Sequence, residues 1–215
     1  MPIPIRYRAS FIEDQYYHVF NRTNNKELLF LSDENRHFFL RKFEKHLSLY
    51  LDTICWTLLN NHFHFFVKVR AKADIIDSLL EITKLLRPDQ TKYLAGDASI
   101  NTLLQNSFKH FFQSYAQSFN RENSRSGNLF RRPFRRVVIF NESYFTAIII
   151  YIHTNAWKHG LCSDFTKYEW SSYQSFLKET NINLIRKDVI EWFGGMEQFA
   201  TVHQNSAPLY KNLGL

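Results

Sequence analysis

The chain has 215 residues, of which 45% are hydrophobic and 17% aromatic, with only six glycines and five prolines. This composition fits one domain with a large core and excludes a disordered or low-complexity chain. The formal net charge of +7 suits a polyanionic partner. Two cysteines supply neither a disulfide framework nor a cysteine zinc site. Because the start lacks the apolar run of a signal peptide, and no membrane span is found, we expect a soluble, cytoplasmic protein.

The first predicted elements are a strand and a helix. Residues 15–21, QYYHVFN, are rich in aromatic and β-branched side chains, which favours a strand. Ser32 is a suitable N-cap, and Phe39, Phe43 and Leu47 recur at helical spacing after it. The sequence therefore predicts a helix of about five turns behind the first strand.

Residues 55–70, CWTLLNNHFHFFVKVR, predict a strand, a tight turn at Asn60 and Asn61, and a second strand. Successive side chains of a strand point to opposite faces, so His62 and His64 share one face about 7 Å apart. Two interpretations follow. The histidines are half of a metal site, since neutral imidazole is a common ligand, or they are ordinary residues of a half-exposed strand.

Apolar residues at helical spacing predict a second helix over 74–86, which ends before Pro88. The order strand, helix, strand, strand, helix is most of an α+β, ferredoxin-like βαββαβ unit, an antiparallel sheet with helices on one face. His62 and His64 would then lie on the other face. Residues 88–106 are polar and non-periodic, which predicts a loop or a weak helix.

A helix with an aromatic stripe from Phe108 to Phe119 follows, and we interpret the stripe as a packing face. The next segment is the most basic of the chain and ends in a predicted strand at 137–139. Its arginines are interleaved with Phe130 and Phe134, a mixture that suits single-stranded nucleic acid, although a solvated edge that prevents aggregation would look similar. The candidate DNA-binding residues are Arg121, Arg125, Arg131, Arg132, Arg135 and Arg136.

The last predicted helix of the main unit is closed by Gly160 in the left-handed conformation. Tyr144, Tyr151 and Asn155 fall on one stripe of it. Tyr151 and Asn155 are four residues apart and hence neighbours, so one face offers a phenol and an amide oxygen able to join a hard-cation site. Residues 161–215 predict a packed C-terminal extension whose last dozen residues are loose.

Five motifs in this order resemble one family: YYHVFNRTNNKELLF, LLNNHFHFFV, SYAQSFNRENSRSGNLFRRPFRR, YIHTNAWKHGL and EWSSY. They resemble the single-tyrosine transposases with a His–bulky residue–His signature, in their REP-associated tyrosine transposase-like branch. The resemblance implies a catalytic domain over 1–160. It also implies a DNA transposition and recombination enzyme that nicks and joins single-stranded, hairpin-containing DNA, as a monomer or homodimer.

By position, the resemblance makes Tyr151 the nucleophile that forms a 5′-phosphotyrosine, and makes His62, His64 and Asn155 the ligands of Mg or Mn. The chain departs from the family where Asn155 is followed by Ala156 rather than proline, and where Asn60 replaces a proline in the hairpin turn.

Other roles remain open on the sequence. His159 could replace or assist Asn155 as the third ligand, and Tyr115 and Tyr144 are rival nucleophiles. The alternative functions are a domesticated single-stranded nucleic-acid-binding protein and a phosphohydrolase that uses water in place of the tyrosine.

Overall fold

The computed structural model describes residues 7–141, 144–178 and 185–211. Four strands form one antiparallel sheet in the order β2-β3-β1-β4. This order, with one helix between β1 and β2 and three between β3 and β4, is the α+β, ferredoxin-like arrangement that the sequence predicts. The strands are β1 (Tyr16–Arg22), β2 (Leu51–Leu59), β3 (His62–Val69) and β4 (Arg135–Ile139).

The helices pack on both faces of this sheet. As predicted, the side chain of Ser32 caps the first helix, α1 (Asp33–Leu47), by accepting a hydrogen bond from the backbone N–H of Asn35. Within the described ranges, no helix has the length and apolar character needed to cross a bilayer. The helices are α1 (Asp33–Leu47), α2 (Lys72–Leu80), α3 (Pro88–Leu94), α4 (Ile100–Glu122), α5 (Phe145–Lys158), α6 (Tyr173–Leu177), α7 (Arg186–Trp192) and α8 (Met196–Lys211).

Two local predictions were wrong. The second helix ends at Leu80 rather than at residue 86, and Leu85, which the apolar spacing placed on a helix, is fully exposed. The end of the chain is helical through Lys211 rather than loose from residue 204 onward, and residues 212–215 lie outside the described ranges. Of the two alternatives for the stretch 88–106, a loop or a weak helix, the helical one is found, because the stretch holds α3 and the first turns of α4.

One face of the sheet carries α1 and α4 over an aromatic core. Phe43 stacks on Phe65 of β3 with ring centroids 4.0 Å apart, and Phe39 meets Phe111 and Tyr115 of α4 edge-on. The hydroxyl of Tyr115 donates a hydrogen bond of 2.7 Å to the carbonyl of Leu29. The aromatic stripe of α4 is thus a packing face, and Tyr115 is committed to it.

The opposite face carries α5, which lies against β2 and β3 and is backed by α8. A buried chain of hydrogen bonds connects these layers. The Nδ1 of His153 lies 2.9 Å from the Nε2 of His203 on α8, and the Nε2 of His153 lies 2.9 Å from the hydroxyl of Ser172. The position of α5 over the sheet is therefore supported from behind by the C-terminal helices.

The outer edge of β2 is paired with the segment around residues 170–172. The backbone N–H of Leu58 donates to the carbonyl of Trp170 at 2.8 Å, and the N–H of Ser172 donates to the carbonyl of Trp56 at 3.0 Å. The hydroxyl of Ser172 also accepts from the N–H of Trp56 at 2.9 Å. The EWSSY motif thus satisfies backbone groups that an edge strand would otherwise leave open.

Candidate catalytic and metal-binding site

The two histidines of β3 face α5, because the pleat turns His62 and His64 to the same side of the sheet. Their ring centroids are 5.3 Å apart. The ring of Tyr151 on α5 meets that of His64 edge-on at 5.7 Å, and the ring of His159 meets that of His62 at 5.0 Å. The fold thus brings together residues that are about 90 positions apart in the chain.

Burial keeps both strand histidines neutral. It lowers the pKa of His62 to about 4, with a smaller contribution from the neighbouring His159, and it lowers the pKa of His64 well below the usual value. The amide oxygen of Asn61 lies 2.7 Å from the Nδ1 of His62 and accepts its proton, which leaves the lone pair on Nε2. A neutral imidazole with one nitrogen held in this way is the form that binds metals.

Asn155 is the unusual residue of the site. Its side chain is fully buried, yet neither its amide oxygen nor its amide nitrogen has a hydrogen-bond partner among the described residues. The amide still acts on both neighbours as a hydrogen-bonding group, raising the pKa of His62 and lowering that of Tyr151, although neither contact is close enough to be a full hydrogen bond. Buried amides are normally satisfied, and an unsatisfied one beside the imidazole of His62 fits the place of a metal ligand.

The alternative third ligand is His159, an exposed residue at the C-terminal end of α5. Its ring contacts that of His62. Within the described part of the chain, however, no three His, Cys, Asp or Glu side chains are grouped so that they could hold a metal ion. Asn155, an amide that is not one of these side-chain types, is the other candidate to complete a site with His62 and His64.

Tyr151 borders the cleft but is only 4% exposed, and burial raises its pKa. Asn155 opposes this shift, and the ammonium of Lys158 lies 5.1 Å from the centre of the Tyr151 ring. Among the rival tyrosines, Tyr115 is in the core and Tyr144, which is 62% exposed, lies at the start of α5. Of the three, Tyr151 is the one whose ring contacts His64.

An open cleft of 730 Å³ surrounds the site, and every charged side chain that lines it is basic. Arg22 and Arg135 lie on the same face of the sheet as His62, since their strands pair in register with it. A second cleft of 700 Å³ along α4 adjoins the first and shares part of its wall. The residues common to both clefts are Asn21, Arg131, Arg132 and Pro133.

The six arginines predicted to bind DNA divide into two groups. Arg131, Arg132 and Arg135 line the cleft. The others lie elsewhere: Arg136 is buried and donates to the carbonyl of Ala9, Arg125 is ion-paired with Glu27 at 2.6 Å, and Arg121 is exposed in the last turn of α4. Arg136 and Arg125 are thus engaged by the fold itself.

His18 is a residue of the site that the sequence motifs do not indicate, and its Nε2 lies 2.8 Å from the Nδ1 of His64. In the sequence it is one residue of the first predicted strand. Pairing of β1 with β3 places Phe20 opposite His64, so His18 is the diagonal neighbour of His64 on the same face. The alternation of side chains within β1 predicts that His18 and Phe20 share one face. The contact of His18 with His64 also depends on the register between β1 and β3, which the sequence does not show.

No protein-family model matches the chain, and no curated protein matches it significantly. Among solved structures, a REP-associated tyrosine transposase bound to a REP hairpin is similar, with a TM-score of 0.52. The identity is 14%, and the alignment covers 82% of this chain and 88% of that one. At this identity the similarity shows a shared fold, and the chain has the fold of that tyrosine transposase.

Proposed function

We propose that the chain is a metal-dependent, transposase-like enzyme that nicks and joins single-stranded DNA at hairpins, with Tyr151 as its nucleophile. The observation that carries this proposal is the contact of Tyr151 with His64 beside the unsatisfied amide of Asn155. The basic cleft around them supports a polyanionic substrate. The similar structure contains a REP hairpin, which supports hairpin DNA as the substrate.

The reaction needs an activated phenol. The Oη of Tyr151 loses its proton to water and attacks the scissile phosphorus, the Oη–P bond forms, the P–O3′ bond breaks, and the leaving O3′ takes up a proton from water. The products are a 5′-phosphotyrosine and a free 3′-hydroxyl, and the reverse attack by a 3′-hydroxyl rejoins strands. Because the phosphoester is conserved in the covalent intermediate, no ATP is required.

Different residues of the chain serve separate parts of this reaction. Arg22 and Arg135 place guanidinium groups beside the histidines, where they would hold the phosphate. Asn155 favours the phenolate, since it lowers the pKa of Tyr151. A divalent Mg or Mn ion on His62, His64 and Asn155 would polarise the phosphate and stabilise charge at the leaving oxygen.

A second function, binding without cleavage, is favoured by the burial of Tyr151. A side chain that is 4% exposed offers little surface to an incoming phosphate. A domesticated binding protein would keep the basic cleft and hold hairpin DNA while the tyrosine stays unreacted. This alternative shares the substrate of the first proposal and differs only in the chemistry.

One experiment separates these functions. The protein is incubated with Mn²⁺ and a hairpin DNA that carries single-stranded flanks on both sides, drawn from the DNA around its own gene. A denaturant-resistant protein–DNA adduct is expected from wild type and from Tyr144→Phe, a matched control on the same helix. None is expected from Tyr151→Phe.

The other outcomes are informative. Binding with no adduct from wild type would favour the binding protein. Cleavage without an adduct that survives in Tyr151→Phe would indicate a hydrolase that uses water. Cleavage that persists in a chelator or in His64→Ala would remove the metal from the mechanism.

A further inference from the structure

We propose that His18 is a positioning residue that holds His64 in the tautomer able to bind a metal through Nε2. The inference rests on the proposed metal site but concerns a residue outside the ligand set. Its basis is the 2.8 Å contact between the Nε2 of His18 and the Nδ1 of His64. The two ring planes are inclined by only 20° with centroids 5.1 Å apart, which is the geometry of rings side by side in one hydrogen bond.

One proton lies between these two nitrogens. If it is on His64, His18 accepts the hydrogen bond and the Nε2 of His64 carries a lone pair. If it is on His18, His64 accepts through Nδ1 and its Nε2 bears a hydrogen, which excludes a metal. A metal bound at Nε2 of His64 therefore requires His18 to be the acceptor, and this assigns the role of His18.

The surroundings make the acceptor difficult to replace. His18 and His64 are each about 5% exposed. The ring of Phe20 stacks on both, with centroids 4.7 Å from His18 and 5.5 Å from His64. The ring of Tyr151 meets both edge-on. Without His18, an N–H on Nδ1 of His64 would be buried and unsatisfied, so the metal-binding tautomer would be disfavoured.

The same contact connects β1 to the metal site. His62 has its own acceptor in Asn61, which precedes it in the turn. His64 obtains its acceptor from the neighbouring strand. Outer hydrogen bonds of this kind typically change metal affinity by about 10- to 100-fold when they are removed.

The test compares His18→Phe, which keeps an aromatic ring but has no acceptor, with His18→Gln, whose amide oxygen reaches about as far as the imidazole Nε2. Binding of Mn²⁺ to the DNA-free protein is measured by calorimetry or electron paramagnetic resonance. His18→Phe should bind about 10- to 100-fold more weakly than wild type, and His18→Gln should recover most of the loss. Thr57→Val, beside His64 on the other neighbouring strand, should bind as wild type does.

A second measurement does not depend on the metal. Long-range ¹H–¹⁵N spectra of the metal-free protein report which nitrogen of His64 carries the hydrogen. Wild type should show it on Nδ1, whereas His18→Phe should shift it toward Nε2. An unchanged tautomer in His18→Phe, or Mn²⁺ affinity equal to that of wild type, would overturn the assignment.

The two proposals fail in different ways. If wild type binds no Mn²⁺, the metal-dependent function is wrong, and the tautomer spectra alone decide whether His18 positions His64. If His18→Gln binds as weakly as His18→Phe although both are folded, the hydrogen bond is not the cause and the positioning role is refuted.

Discussion

Replacement of Asn155 by leucine should stabilise the metal-free protein while it abolishes metal binding. The two side chains have the same branching, but leucine needs no hydrogen bonds. Asn155 is fully buried with both amide atoms unsatisfied among the described residues. An unsatisfied buried polar group costs about 1–3 kcal/mol. For a chain of this size, each 1 kcal/mol corresponds to about 2–4 °C in Tm, so a rise of roughly 2–12 °C is expected.

Thermal unfolding followed by circular dichroism, with and without Mn²⁺, checks this expectation. Wild type should gain about 2.7 kcal/mol of stability at a metal concentration one hundred times the Kd, whereas Asn155→Leu should gain much less. The control is Asn155→Asp, which should be destabilised without metal, because it buries a carboxylate, and rescued by Mn²⁺. If Asn155→Leu is less stable than wild type without metal, Asn155 does not destabilise the metal-free protein. If Mn²⁺ stabilises Asn155→Leu as much as it stabilises wild type, Asn155 is not a metal ligand.

The remaining predictions concern pH, DNA affinity and the core. Burial lowers the pKa of His203 to about 4 from an unfolded value of 6.5, so its contribution to stability is present above pH 6.5 and is lost as the pH falls toward 4. His203→Gln should therefore reduce the difference in the free energy of unfolding between pH 7.5 and pH 5 by about 2 kcal/mol in urea titrations, and an unchanged difference would contradict this. Arg132→Ala should weaken hairpin DNA binding and lower the slope of log affinity against log salt by about 1, whereas Arg121→Ala, which removes the same charge outside the cleft, should leave that slope nearly unchanged. Arg136→Met should lower the free energy of unfolding by about 1–3 kcal/mol, since it strands the carbonyl that the guanidinium bonds, yet the folded variant should bind DNA as wild type does.

The periodic parts of the sequence predict the fold well, because strong alternation and strong helical spacing both reflect burial. The hairpin around Asn60 and Asn61 and the aromatic stripe of α4 are of this kind. Between them, the end of the second helix was mispredicted, and the stretch 88–106 was left open between a loop and a weak helix. Pro88 begins α3, and Ser99 caps α4 with its side chain, but these local signals were outweighed by the polar composition of the stretch.

The site was predictable to the extent that its residues lie on one element. His62 with His64, and Tyr151 with Asn155, each follow from the period of a single strand or helix. The contact between the two pairs depends on α5 crossing the sheet, and the contact of His18 with His64 depends on the register of β1 against β3. Neither contact can be read from the periodicity of one element. The surroundings of Arg136 cannot be read from it either: its charge suggested DNA binding, but its guanidinium group lies over the rings of Phe11 and Phe134.

The pairing of β2 with the segment at residues 170–172 has a consequence for any shortened form of the protein. Removal of everything after residue 160 would delete Trp170 and Ser172 and leave the outer backbone groups of Trp56 and Leu58 without partners. It would also remove α8 from behind α5 and uncover apolar surface there. A shortened protein of this kind would present a bare, apolar strand edge, and we expect it to self-associate through that edge before its chemistry could be assayed.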